Sequence, residues 1–167
     1  MELKGTKTEK NLQEAFAGES QANRKYLAFA EKAEKEGYAN AARMFRAAAE
    51  AETIHAHSHL RAMDGVGSTA ENLQEGVEGE TEEYERMYPP MLARAEEAGE
   101  KAAARSFRFA MEAEKVHADL YRKILDDLDN DEEMTLYLCT VCGNVETSPV
   151  DKCPICGAGP RAFKEVE

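Results

Sequence analysis

The helical part of this chain repeats itself, and that duplication constrains the fold more than any other feature. Residues 11–20 match residues 72–81 at an offset of 61, and residues 41–46 match residues 103–108 at an offset of 62. Residues 50–56 match residues 112–118 at the same offset of 62. A duplicated helical hairpin is expected to pack as a bundle with a pseudo-twofold axis, with the residues kept in both copies near that axis.

Residues 1–133 are rich in Ala, Glu, Lys, Arg and Leu, a composition typical of helices. We predict four helices, over residues 8–36, 39–63, from about 69 to at least 88, and 100–127. Thr6-x-x-Glu9 and Ser68-x-x-Glu71 are capping boxes that open the first and third helices. Pro89-Pro90 is expected to kink or interrupt the third helix.

The C-terminal part differs in composition. Residues 126–133 are acidic and polar, as expected of a linker, and residues 134–167 contain β-prone residues, turn residues and all four cysteines. A module of this size buries too little apolar surface to fold unaided, so a metal ion is expected to hold it together. The predicted domains are therefore a helical bundle over 1–133 and a small β module over 134–167.

The net charge of -12 argues against binding to nucleic acids or anionic membrane surfaces, which require positive patches. No apolar run is long enough to span a bilayer, and the N-terminus lacks the apolar core of a secretory signal. We therefore expect a cytoplasmic protein. In that reducing compartment, clustered cysteines favour metal binding over disulfides.

Each predicted helix carries one glutamate at the middle of its apolar stripe, and on two helices a histidine follows three residues later. The glutamates are Glu19, Glu52, Glu80 and Glu114, and the histidines are His55 and His117. Residues three apart share a helix face. Four buried carboxylates need positive charge between them, which two divalent metals supply and two histidines cannot. In a lone Glu-x-x-His, the glutamate is more often solvated and the histidine fills core space, but two copies in register favour a metal pair bridged by Glu52 and Glu114.

The duplication is broken at Glu83, whose counterpart in the first copy is Ala22. Glu83 lies three residues after Glu80, so a fifth carboxylate makes the two metal positions unequal. Tyr26 and Tyr88 follow Glu19 and Glu80 by seven and eight residues. They either donate hydrogen bonds to ligand carboxylates or simply pack in the core.

Two Cys-x-x-Cys-Gly segments, at 139–143 and 153–157, form a tetrahedral metal-binding pattern. Such knuckles turn backbone amides toward the sulfurs, and glycine permits the tight turn. Four cysteines suit both zinc and iron. Zinc is the ordinary interpretation of the module alone, but attachment to a two-metal redox bundle favours iron, because a one-electron centre can serve a two-electron site.

These motifs together resemble the rubrerythrin family. The resemblance rests on Gly18-Glu19-Ser20, Glu52-x-x-His55, Gly79-Glu80-x-x-Glu83, Met87-Tyr88-Pro89, Glu114-x-x-His117 and Cys153-Pro-Ile-Cys156-Gly, and covers nearly the whole chain. It implies a mostly α protein, with a ferritin-like bundle followed by a rubredoxin-like domain. It also implies a cytoplasmic peroxidase that reduces hydrogen peroxide to water in oxidative-stress defence, with electrons passing from an Fe(Cys)₄ centre to a di-iron site.

By that resemblance the single iron is bound by Cys139, Cys142, Cys153 and Cys156. The iron pair is surrounded by Glu19, Glu52, Glu80, Glu83, Glu114, His55 and His117. One iron exchanges glutamate for histidine on reduction, at positions matching Glu83 and His55; with Tyr26 and Tyr88 these are the candidate catalytic residues. The electron donor is expected to be a rubredoxin or an NAD(P)H-dependent reductase.

The connection between the second and third helices is short, over about residues 64–70. In a ferritin-like bundle these helices run parallel, so the chain must climb roughly 30 Å or more. Seven extended residues reach at most ~25 Å. We therefore predict a domain-swapped homodimer, with an up-down-up-down bundle or frayed helix ends as the alternatives.

Two other functions stay open: a ferroxidase that handles iron, and an electron carrier or zinc-stabilised interaction module.

Overall fold

A computed structural model describes residues 3–130 and 133–166 and divides the chain into two compact units, residues 1–67 and 68–167. The first unit is a helical hairpin of α1 (Lys7–Lys35) and α2 (Ala39–Ala62). The Thr6 hydroxyl accepts a hydrogen bond from the Glu9 backbone N–H and caps α1, as predicted. Gly37, with φ of +83°, adopts the left-handed conformation at the turn between the helices.

Small side chains form the most buried part of this hairpin. The buried alanines are Ala30, Ala33, Ala42, Ala49 and Ala56. Asn23 is buried among them, and its amide donates hydrogen bonds to the Ala49 carbonyl (2.6 Å) and the Thr53 hydroxyl (2.8 Å). Small residues at a contact shorten the distance between helix axes. The hairpin is therefore closely packed, while the glutamate stripe lies beside the alanines and is only half-buried.

The second unit begins with α3 (Thr69–Glu82), a π-helical turn (Glu83–Met87) and α4 (Tyr88–Glu97), followed by α5 (Lys101–Asp126). Ser68 and Glu71 form the predicted capping box. The predicted interruption of the third helix exists, but it precedes Pro89-Pro90. The two prolines lie in the first turn of α4, where a missing N–H is tolerated best.

The C-terminal module is a three-stranded antiparallel sheet of β1 (Leu136–Cys139), β2 (Val145–Glu146) and β3 (Phe163–Val166), in the order β2-β1-β3. A short 3₁₀ turn, Pro160–Ala162, precedes β3. Within the predicted linker, residues 131 and 132 lie outside the described residues. Among the residues that the structure describes, no helix is both long and apolar enough to cross a bilayer.

Candidate metal centres

The first helical hairpin brings three of its predicted ligands together, a group that we call the first half-site: Glu19, Glu52 and His55. One donor atom from each of these residues lies within 4.8 Å of the others. The His55 Nδ1 lies 2.9 Å from a Glu52 carboxylate oxygen and 4.0 Å from one of Glu19. The His55 hydrogen bond lowers the pKa of Glu52, with a smaller contribution from Glu19.

The second unit contains the equivalent group, which we call the second half-site: Glu80, Glu114 and His117. The donor atoms again lie within 4.8 Å of one another. The His117 Nδ1 is 2.7 Å from a Glu114 oxygen and 3.8 Å from one of Glu80. The same helical spacing thus produces the same arrangement twice, as the duplication predicts.

The carboxyl groups of the second half-site are held close to one another at an electrostatic cost. Burial, then the hydrogen bond and charge of Glu114, raise the pKa of Glu80 to about 7. In contrast, the hydrogen bond from His117 lowers the pKa of Glu114, and the same bond raises the pKa of His117. Glu80 and Glu114 form a hydrogen bond to each other beside the His117 imidazole, and metal cations can replace the protons of such a group.

Two of the candidate catalytic residues, Glu83 and Tyr88, lie beside the second half-site, whereas Tyr26 is held in an aromatic cluster. Glu83 is half-buried, and burial and the Glu114 charge raise its pKa. Burial and the charges of Glu83, Glu114 and Glu80 raise the pKa of Tyr88, so its phenol lies in the field of all three carboxylates. Tyr26 packs against Phe45, with ring centroids 6.1 Å apart.

The four cysteines converge in the C-terminal module and are free thiols rather than disulfides. The Cys139 and Cys156 sulfurs are 3.7 Å apart, and the Cys142 and Cys153 sulfurs 3.6 Å apart. The glycines that close the two knuckles have φ of +84° and +76°, which a side chain would strain. The geometry is that of a tetrahedral Cys₄ site.

Backbone amides point at the sulfurs, as the knuckle pattern predicts. Burial acts to raise the pKa of Cys153, but hydrogen bonds from the N–H groups of Cys156 and Ile155 and from the Cys156 and Cys142 side chains together outweigh it and bring the pKa to about 7. Burial raises the pKa of Cys142, against the N–H of Asn144. A bound cation would take the place of the thiol protons at these sulfurs.

One contact joins the second half-site to the cysteine module. The His117 Nε2 donates a hydrogen bond of 2.8 Å to the carbonyl of Gly143, the residue after Cys142. A cavity of about 400 Å³ lies next to this contact and is lined in part by Glu114, Val141 and Cys142. With Nε2 occupied as a donor, the Nδ1 that faces Glu114 is the ring nitrogen whose lone pair becomes available to a metal once its proton is lost.

Comparison with known proteins agrees with this geometry. The chain matches the Rubrerythrin family over residues 10–125 and the rubrerythrin rubredoxin-like domain over residues 137–164. The chain belongs to the rubrerythrin family. It is 35% identical to rubrerythrin-2 of Clostridium acetobutylicum, covering 98% of this chain and 99% of that protein. It is 38% identical to rubrerythrin of Porphyromonas gingivalis, covering 98% and 91%.

A solved structure supports the same family assignment. The structure of fully reduced, all-ferrous nigerythrin matches with a TM-score of 0.59 and 33% identity, covering 98% of this chain and 91% of that one. This member of the rubrerythrin family is therefore an iron-dependent oxidoreductase related to oxidative stress, with a mostly helical fold and a small cysteine-bearing strand module. Its two matched domains imply a di-iron site and an Fe(Cys)₄ site. The carboxylate–imidazole groups and the four cysteines fit these cofactors.

Two residues near the centres were not identified from the sequence. Asn23 belongs to no motif in the sequence, although its amide cross-links α1 and α2. The Gly143 carbonyl had no sequence signal as a partner of His117, because 26 residues separate the two.

Proposed function

We propose that this rubrerythrin-family protein is a cytoplasmic peroxidase that reduces hydrogen peroxide to water, with electrons delivered through its cysteine module. The proposed metal ligands are those that the sequence indicates: the five glutamates and two histidines of the helices, and the four cysteines. Bound as an iron(II) pair, the metal centre supplies the two electrons that convert one peroxide and two protons into two waters.

The single observation that supports electron delivery is the position of the His117 ring. Its Nδ1 faces Glu114, and its Nε2 is hydrogen-bonded to the Gly143 carbonyl, one residue from Cys142. One imidazole and one peptide group therefore connect the two predicted metal-binding groups. A storage ferroxidase needs no such electron inlet, so this contact favours the peroxidase over that alternative.

Protons are supplied by groups around the second half-site. The Tyr88 phenol stays protonated next to Glu83, because burial and the nearby negative charges raise its pKa. We assign Tyr88 the role of holding a proton at its hydroxyl, with Tyr26 as its counterpart in the first copy. Glu83 is assigned as the mobile carboxylate, and His55 as the imidazole that would exchange with it.

Peroxide consumption by the iron-loaded full-length protein under anaerobic conditions tests this function. With a supplied reductant, we expect sustained peroxide loss at two electrons per molecule. A ferroxidase would instead consume added iron(II) and accumulate ferric mineral without depending on the reductant. Zinc bound at the cysteines of the native protein, shown by metal analysis, would also contradict the proposal.

We further propose a domain-swapped homodimer, in which α1 and α2 of one chain complete the bundle with α3–α5 of its partner. The connection between Ala62 and Thr69 supports this, since it holds too few residues for the climb that parallel second and third helices require. The first hairpin also exposes large apolar side chains, including Phe29 (46%) and Ile54 (66%). A hairpin with such a surface needs a further layer of helices.

Complementation between two damaged chains distinguishes a swapped dimer from a self-contained chain. Glu52→Ala damages the first half-site and Glu114→Ala the second. In a swapped heterodimer of the two variants, one site receives both lesions and the other neither. Co-refolding should therefore restore about a quarter of native activity to two inactive proteins. No recovery, with heterodimers shown by mass spectrometry, would exclude the swap.

A further inference from the structure

Helix α1 of the first copy and α3–α4 of the second are related by two different offsets in residue number. The offset is 61 at Glu19 and Glu80, and it is 62 at Tyr26 and Tyr88. Near the middle of α1 and α3, Glu19 and Glu80 are equivalent at an offset of 61. The structure shows the same equivalence: the His55 Nδ1 lies 4.0 Å from Glu19, and the His117 Nδ1 lies 3.8 Å from Glu80.

Further along, the equivalence shifts by one residue. The Tyr26 ring pairs with Phe45 at 6.1 Å, and the Tyr88 ring pairs with Phe107 at 6.3 Å, both partners being related by an offset of 62. The second copy therefore contains one extra residue between Glu80 and Tyr88.

The π-helical turn accommodates that extra residue. The Glu83 N–H donates to the Gly79 carbonyl four residues back, as in an α-helix. The Tyr88 N–H donates to the Glu83 carbonyl five residues back. In the first copy, α1 runs without a break from Lys7 to Lys35. A single π turn is how a helix absorbs one additional residue without shifting the helix on either side.

The position of the π-helical turn decides the direction of the Tyr88 side chain. At 3.6 residues per turn, an uninterrupted helix would put Tyr88 about 80° from Glu80 and about 140° from Glu83. With one residue absorbed before it, Tyr88 lies within about 20° of Glu80 and about 40° of Glu83. If the π-helical turn lay beyond Tyr88, the Met87 side chain instead of Tyr88 would lie on the face that carries Glu80.

Pro89 and Pro90 explain why the π-helical turn stays at residues 83–87. Neither has an N–H, so neither can form the α-helical bond to the carbonyl four residues back, and their rings would clash with those carbonyls in a regular helix. The first copy has Leu27 and Ala28 at the equivalent positions. An α-helical register across residues 83–90 is therefore disfavoured in the second copy only.

We propose that Pro89 and Pro90 are positioning residues that hold the extra residue within the Glu83–Met87 turn and so keep the Tyr88 ring on the face that carries Glu80 and Glu83. The importance of the Tyr88 ring for proton supply rests on the proposed function. The proposal about where the ring lies does not, because the position of the ring is measured without peroxide turnover.

Nuclear Overhauser contacts in the zinc-loaded, full-length protein test the proposal, with the Tyr26–Phe45 pair as an internal reference. Replacing the prolines by the residues of the first copy, P89L/P90A, should abolish the Tyr88–Phe107 contact and leave the reference contact intact. Deleting the exposed Glu85 from that variant removes the extra residue, and should restore the contact in a continuous α-helix. The control E85A keeps the extra residue and both prolines and should retain both contacts.

Two outcomes would overturn the proposal: a Tyr88–Phe107 contact that survives in P89L/P90A, or one that the deletion fails to restore. Restoration is decisive, because general loss of helix stability would not be repaired by shortening the helix. If P89L/P90A fails to fold, two other variants replace it. The single variant P90A should lose the Tyr88–Phe107 contact, and P89L/P90A with Glu85 deleted should show it.

Discussion

The two half-sites have the same ligands in the same spacing but different surroundings. The His55 side chain is 55% exposed, and that of His117 is 23% exposed, with its Nε2 bonded to Gly143. Glu83 adds a carboxylate to the second half-site, where the first copy has Ala22. The duplicated sequence thus supplies two equivalent groups of candidate ligands, and one added carboxylate and one added contact make them unequal.

The inequality assigns different tasks to the two groups. In the proposed mechanism, the second half-site receives electrons and manages protons, because it has the link to the cysteine module and the three carboxylates around Tyr88. The first half-site completes the metal pair. Each prediction below compares a change in one group with its match elsewhere, beginning with the largest effect.

Removing a ligand of the cysteine site should have the largest effect. Cys142→Ser should leave the C-terminal module without its metal and lower reductant-driven peroxide turnover by about 100-fold or more. A single turnover of protein whose helical site was reduced beforehand should stay near the native rate, as measured by stopped-flow absorbance. Equal loss in both assays would show that the module does more than deliver electrons.

Replacing the two histidines should separate metal binding from electron delivery. His55→Gln and His117→Gln should each weaken iron binding at the helices by about 10- to 100-fold. At saturating iron, only His117→Gln should slow reduction of the helical site by the cysteine site, since only His117 contacts Gly143. Flash-reduction kinetics of the two variants check this, and identical rates would argue against the imidazole path.

The added carboxylate should matter for turnover but not for folding. Glu83→Ala should reduce peroxide turnover by about tenfold and leave the thermal unfolding midpoint nearly unchanged, because the group is half-buried and its raised pKa shows that it is not stabilised there. The adjacent exposed Glu82 provides the control, and Glu82→Ala should be silent in both assays.

The smallest predicted effect is the pH dependence of metal-free stability. Because the pKa of Glu80 is raised from 4.5 to about 7, its contribution is complete below pH ~4.5 and is lost as pH rises through about 7. For Glu52 the pKa is lowered, so its contribution is present above pH ~4.5 and is lost as pH falls.

Native metal-free protein should lose on the order of 1 kcal/mol of stability to urea between pH 5 and 8, and Glu80→Gln should lose less, with the raised pKa of His117 accounting for the remainder. Glu52→Gln should keep that decline and change stability only on the acidic side. A decline of undiminished size in Glu80→Gln would show that Glu80 is not the group responsible.

Much of the fold and of the ligand grouping was predictable because it depends on local spacing. The Ser68 cap, the Glu-x-x-His groups and the cysteine knuckles each lie within a few residues of chain, where helix pitch or turn geometry decides the outcome. The interruption of the third helix was predicted at the prolines and found one turn earlier. The shift of the repeat from 61 to 62 was its visible signal.

By itself, the amino-acid sequence determined the duplicated acids and imidazoles and the cysteine pattern, and with them the family. Only the tertiary structure showed that His117 reaches Gly143 and that Asn23 ties α1 to α2. The reason is physical: spacing along one helix follows from its pitch, whereas contacts between segments 26 residues apart depend on how whole elements pack, which no short pattern encodes.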